Sequence, residues 1–213
     1  MSVPGLGGGG RDGGLRGVAI GVVSANDDPE GLARVKLTFP WRDADDESYW
    51  ARIATPMAGA DRGTYFLPEV GDEVLVAFEG GDIHYPYVLG ALWNGEDTPP
   101  ETNADGNNDV RTVRSRSGHE LRFDDNDTAG RVELKTAGGR KVVLDDESGN
   151  ERISVQDGQG NRVVVDSTTG EVTVEAAATV RVAAPMIELA SDGNVTIDAK
   201  GVLTLNGSLV KIN

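Results

Sequence analysis

The chain has few residues able to do chemistry. It holds 2 His and no Cys. Thiol nucleophiles, disulfides and Cys-ligated metal are therefore excluded, and imidazole acid–base catalysis has only two places to occur. His84 stands beside Tyr85-Pro86 at the start of a strand with no ligand set around it, and reads as structural. His119 lies in the first of a series of repeats, facing water or a subunit edge. Asp124-Asp125-Asn126-Asp127 begins like a calcium loop. Lys135 stands where that loop needs a closing bidentate Glu, so a solvated turn is expected. The acidic pairs Asp124-Asp125 and Asp145-Asp146 occupy equivalent repeat positions and are expected to project outward in rings. Paired carboxylates that cleave glycosides need a cleft, which a narrow stack of strands does not offer. Gly7–Gly10 has neither a preceding strand nor a following Lys-Ser/Thr, so it is no phosphate loop. No catalytic residue, cofactor or metal ligand is expected, and the chain is read as a non-enzyme.

The elements that would carry these residues are strands. After a Gly-rich arm (1–15), Gly17–Val23 reads as a strand and Asn26-Asp27-Asp28-Pro29-Glu30-Gly31 as a turn. Leu32–Phe39 alternates with period two and pairs back as a hairpin. Trp50–Ala54, Val74–Phe78 and Tyr85–Leu92 complete about five strands with no convincing helix. That pattern predicts an OB-fold barrel over 16–95. Trp41, Trp50, Phe66 and Trp93 are expected in its core or at a subunit interface. A Pro/Asn/Asp/Gly-rich linker follows at 96–109.

From residue 110 onward the chain repeats. Gly118-His119-Glu120-Leu121-Arg122-Phe123, Gly139-Arg140-Lys141-Val142-Val143-Leu144 and Gly160-Asn161-Arg162-Val163-Val164-Val165 are spaced by 21 residues. Short strands without helices at a fixed period predict a β-solenoid. After Val172 the apolar stretches Val180–Val182, Ile187–Leu189, Val195–Ile197, Val202–Leu205 and Leu209–Ile212 fall every seven or eight residues. One such stripe cannot wall itself in, and its edges would stay open. Three chains about one axis would close it, so residues 110–213 are expected to form an intertwined triple-stranded β-helix, a homotrimeric needle.

Charge narrows the partners. Formal net charge is −15, the wrong sign for a phosphate backbone, so nucleic acid is excluded as a ligand. No segment is apolar for the length of a bilayer, and the first residues do not read as a secretory signal.

Several stretches resemble a known family: Asp28-Pro29-Glu30-Gly31-Leu32-Ala33-Arg34-Val35-Lys36, Phe39-Pro40-Trp41, Leu67-Pro68-Glu69-Val70-Gly71-Asp72-Glu73-Val74 and Gly81-Asp82-Ile83-His84-Tyr85-Pro86-Tyr87-Val88-Leu89-Gly90. They are similar to the barrel domain of contractile-tail spikes, which include phage baseplate assembly protein V and the valine–glycine-repeat spikes of type VI secretion and contractile injection systems. The resemblance implies a homotrimer at the centre of a baseplate, set against a separate hub protein and inner tube. Its needle pierces the target membrane when a sheath contracts. It also implies assembly in the cytoplasm within a phage tail or particle, and delivery to the target envelope or outside the cell. The lysozyme-like insert, N-terminal hub and His-x-His apex of some relatives have no counterpart here. The final Leu209-Val210-Lys211-Ile212-Asn213 resembles the blunt platform that seats a PAAR-type tip protein. A carbohydrate-binding or depolymerising tail spike is the alternative. It calls for exposed aromatics, and Phe123 is the one aromatic after Trp93. A β-solenoid adhesin is the third reading.

Overall fold

The computed structural model describes residues 17–43 and 46–212. The expected arm lies outside them, as does Asn213. The chain divides into two compact units, Met1–Ala104 and Asp105–Asn213. Among the described residues the regular elements are strands, apart from one 3-10 turn at Glu79–Gly81. Among them no helix is long and apolar enough to cross a membrane.

The first unit is built on a five-stranded sheet. It comprises β1 (Val18–Ala25), β2 (Lys36–Thr38), β3 (Arg52–Ile53), β6 (Glu73–Phe78) and β7 (Pro86–Ala91) in the order β2-β1-β6-β7-β3. Neighbours run antiparallel except β3 with β7. An antiparallel bridge between Val35 and Ala51 brings the two edges together, with mutual N–H···O bonds of 3.1 and 2.7 Å. Alternation puts Val23, Leu37, Val74, Val76 and Val88 inside, joined by Val35, Phe39 and Ala51. Each fully buried Val or Leu contributes about 2 kcal/mol of transfer free energy. The Phe39 ring packs close over Gly21, where an added Cβ would lie 3.4 Å from it.

The second strand is shorter than the alternation of Leu32–Phe39 predicts, and the preceding turn explains it. The Asp28 carboxylate accepts N–H bonds from Glu30, Leu32 and Arg34, and Ala33 takes a left-handed φ of 55°. The turn therefore runs on to Arg34. A small hairpin, β4 (Ala58–Gly59) with β5 (Arg62–Gly63), was not foreseen. Of the two places expected for the aromatic residues, core or subunit interface, the core is not where they lie. Trp41, Phe66 and Trp93 are exposed and Trp50 is half-buried, while Val and Leu fill the interior.

The second unit is a seven-stranded antiparallel meander. Its strands are β8 (Val110–Arg114), β9 (Glu120–Asp124), β10 (Arg131–Lys135), β11 (Lys141–Asp145), β12 (Arg152–Gln156), β13 (Arg162–Asp166) and β14 (Glu171–Glu175), in chain order across the sheet. This differs from the solenoid reading of the repeat. The 21-residue period counts one up-and-down pair of strands, not one coil. Gly118, Gly139 and Gly160 all sit in the same hairpin turn, with φ of 85°, 83° and 97°. In the first two of these turns the glycine N–H returns to the residue three before it (Ser115, Thr136) at 2.9 Å. A left-handed residue there reverses the chain within a few residues, which forces antiparallel pairing. Beyond Glu175 the apolar stretches expected to be strands have no sheet partner among the described residues, and their side chains are exposed.

Candidate functional site: an uncovered apolar sheet face

The register of the meander sorts its side chains into two unlike faces. On one face, Val113, Leu121, Leu134, Val142, Val155, Val163 and Val174 stand opposite one another from strand to strand. A second row runs through Phe123, Val132, Leu144, Ile153, Val165 and Val172. The first row is apolar throughout and the second is apolar after Arg111, which stands opposite Phe123, yet many members are open to solvent: Leu134 is 55% exposed, Val155 50% and Val172 65%. A continuous patch of this extent on a lone chain marks a contact surface.

The opposite face carries ion pairs on either side of a middle row that includes Val143 and Val164. Asp124, Arg131, Asp145, Arg152 and Asp166 follow one another across the sheet with alternating sign. Arg131 Nη2 lies 3.3 Å and Arg152 Nη2 3.8 Å from Asp145 Oδ2, and the carboxylate is 2% exposed. Asp145 is thus roofed by two guanidinium groups, which corrects the expectation that its acidic pair projects freely outward. At the other strand ends Arg162 grips Glu175 through two bonds of 2.8 and 3.0 Å. The Glu175 carboxylate holds the Arg162 cation and is itself pushed down by it. Opposite charges placed directly across strands favour this register, against the like-charged crossings Lys135–Lys141 and Asp166–Glu171, while a one-residue slip would turn the apolar rows to the other face.

The histidines serve the fold. His119 Nδ1 accepts the Ala137 N–H at 3.2 Å, tying one repeat turn to the next. His84 Nδ1 lies 3.0 Å from Asp82 Oδ1. The Asp124–Asp127 segment is a turn: Asn126 Oδ1 accepts from the Thr128 and Ala129 N–H groups, and Arg111 pairs with Asp125 at 2.7 Å. Among the described residues no group of three His, Cys, Asp or Glu side chains could hold a metal ion. In the first unit the Asp28 carboxylate is 2% exposed and clasps Arg34 through two bonds of 2.8 Å, with Glu30 adding a third contact at 2.9 Å. Foremost the Arg34 guanidinium, and then three backbone N–H groups, hold the Asp28 carboxyl far below its ordinary range.

Of the proposed docking residues, Leu209, Val210, Lys211 and Ile212 are exposed and in no strand. They adjoin along the chain and are gathered by nothing else, and Asn213 lies outside the described residues.

Residues 19–93 match the type VI secretion system/phage-baseplate injector OB domain. Over this stretch the chain is similar to the OB domain of contractile-tail spikes. This injector OB domain coincides with the five-stranded sheet and its bridge. The type VI secretion system spike protein VgrG2a of Pseudomonas aeruginosa is 35% identical over 101 residues, covering 43% of this chain and 12% of that protein. Spike protein VgrG3 of Vibrio cholerae is 32% identical over 106 residues, covering 45% and 10%. The actin cross-linking toxin VgrG1 of Vibrio cholerae is 36% identical over 73 residues, covering 32% and 7%. The match therefore spans about a tenth of the length of these curated relatives.

The two-row apolar face was the feature that the repeat pattern understated. Its signal was present in the alternation of Arg131-Val132-Glu133-Leu134-Lys135 and Glu171-Val172-Thr173-Val174-Glu175. Treating the repeat as a coil hid how many strands share one surface.

Proposed function

We propose that this chain is the spike of a contractile injection machine. Three copies bring their apolar sheet faces together into a rigid needle that is driven through a target membrane. The observation that carries this is the pair of uncovered apolar rows on a sheet whose other face carries ion pairs. Burying one row-lining Val or Leu against a neighbour contributes about 1–2 kcal/mol, and many do so at once. Three copies serve better than two because of the segment after Glu175, which has no sheet partner among the described residues. Winding three such segments about an axis gives each one two neighbours, whereas a two-chain ribbon leaves its outer edges open.

In this reading the work is mechanical and the chain performs no catalysis. The OB unit abuts a separate hub protein and tube, and Leu209–Ile212 with Asn213 seats a tip protein of the PAAR type. Light scattering on the purified chain tests the assembly: a mass three times the 22.4 kDa of one copy is expected. A persistent monomer overturns the proposal, and a stable dimer overturns the threefold arrangement.

A further inference from the structure

Apart from the sheet face, the first unit exposes a cluster of three rings. Tyr49 lies 5.6 Å from His84 and 5.2 Å from Tyr85, centroid to centroid, with the planes tilted by 39° and 55°. Tyr49 is 58% and Tyr85 52% exposed. The backbone holds the cluster in place. The Tyr49 N–H donates to the His84 carbonyl at 3.1 Å and the Tyr85 N–H to the Asp82 carbonyl at 3.1 Å. Beside Tyr49 in the chain, buried Ser48 receives the Leu37 N–H at 3.1 Å. The Asp82 carboxylate faces His84 and receives the His84 backbone N–H at 3.0 Å, an arrangement that keeps it ionised.

We infer that Tyr49, His84 and Tyr85, with Asp82, form a cup for an arginine side chain presented by a protein partner. Tilted rings offer no flat platform for a sugar face, but Tyr49 and Tyr85 leave π-surface open to solvent, which a cation can approach. The adjacent carboxylate adds charge of the right sign. Between residues 17 and 104 acidic side chains outnumber basic ones about three to one, so the whole unit attracts a basic surface. The inference deepens the assembly reading above by giving the OB unit a partner chemistry.

The chain contains 4 Tyr, which makes fluorine NMR of the full-length protein labelled with 3-fluorotyrosine a direct test. Titration with acetyl-arginine-amide should move the Tyr49 and Tyr85 signals and leave those of Tyr65 and Tyr87 in place. The citrulline counterpart and maltotriose should move none. Asp82→Asn should weaken the arginine response roughly fivefold, and Tyr49→Ala should abolish the Tyr85 shift. An equal response to citrulline, a response to the sugar, or no response at Tyr49 and Tyr85 overturns the inference. Light scattering on the same sample reads the threefold assembly separately, so either idea can fail alone.

Discussion

Single side chains in this protein act mostly by fixing where the backbone turns. Asp28 is the clearest case, since one carboxylate holds Arg34 and three backbone N–H groups. Folding lowers its pKa from an ordinary 3.8, so the unfolded chain takes up the proton first as acid is added. The contribution is fully present above that ordinary value and drains away as pH falls through the folded one. Asp28→Asn should therefore lower the melting temperature of the OB unit by several degrees at neutral pH. Melts repeated at pH 3 should show a smaller gap between variant and parent, and an unchanged gap would refute this account. Gly139 makes the same point in the repeats. At φ 83° a side chain is strained, so Gly139→Ala should cost about 1 kcal/mol in chemical denaturation. Gly95→Ala, at a position with open space and no positive φ, should be close to neutral.

At the level of elements, the meander separates its two tasks by face. Val155 is already half in water, so Val155→Asp leaves the sheet of one chain intact. It places an unpaired charge where the proposed neighbour would lie, at a cost of several kcal/mol per copy. Sedimentation should then show loss of assembly, while Ser154→Asp on the opposite face should leave it unaffected. Asp145→Asn removes the carboxylate between Arg131 and Arg152, and unfolding experiments should record a loss of about 2 kcal/mol. These elements also show what was legible beforehand. The strands of the OB unit were readable because each half-buried strand alternates and the Asp28–Gly31 turn announces itself. The hairpin of Ala58–Gly63 was not, since its residues are exposed and carry no alternation. The strands of the repeat were visible but their direction was not. Period-two alternation is the same in parallel and antiparallel sheets, and only the left-handed φ of Gly118, Gly139 and Gly160 decides between them. The docking residues near the end were read from resemblance alone, and in the described chain they are exposed and in no strand. The extended segments beyond Glu175 were expected as strands because their apolar spacing is regular, but a strand exists only where another backbone pairs with it.

For the whole molecule, each unit has its own set of contacts. Removing residues 105–213 should leave a folded OB unit that sediments as a monomer, measured by circular dichroism and ultracentrifugation. Removing 208–213 alone should spare the assembly and abolish capture of a tip protein. The repeat itself carries a further consequence. Because 21 residues bring the chain up and back to the same edge, facing the same way, the block is a unit of length. Duplicating Gly139–Gly160 in frame, less one of its two boundary glycines, should extend the shaft by about 10 Å, two strand spacings, without moving any side chain from inside to outside. Under the proposed spike reading, a shaft assembled from such blocks is set in length like a measuring rod, one notch at a time.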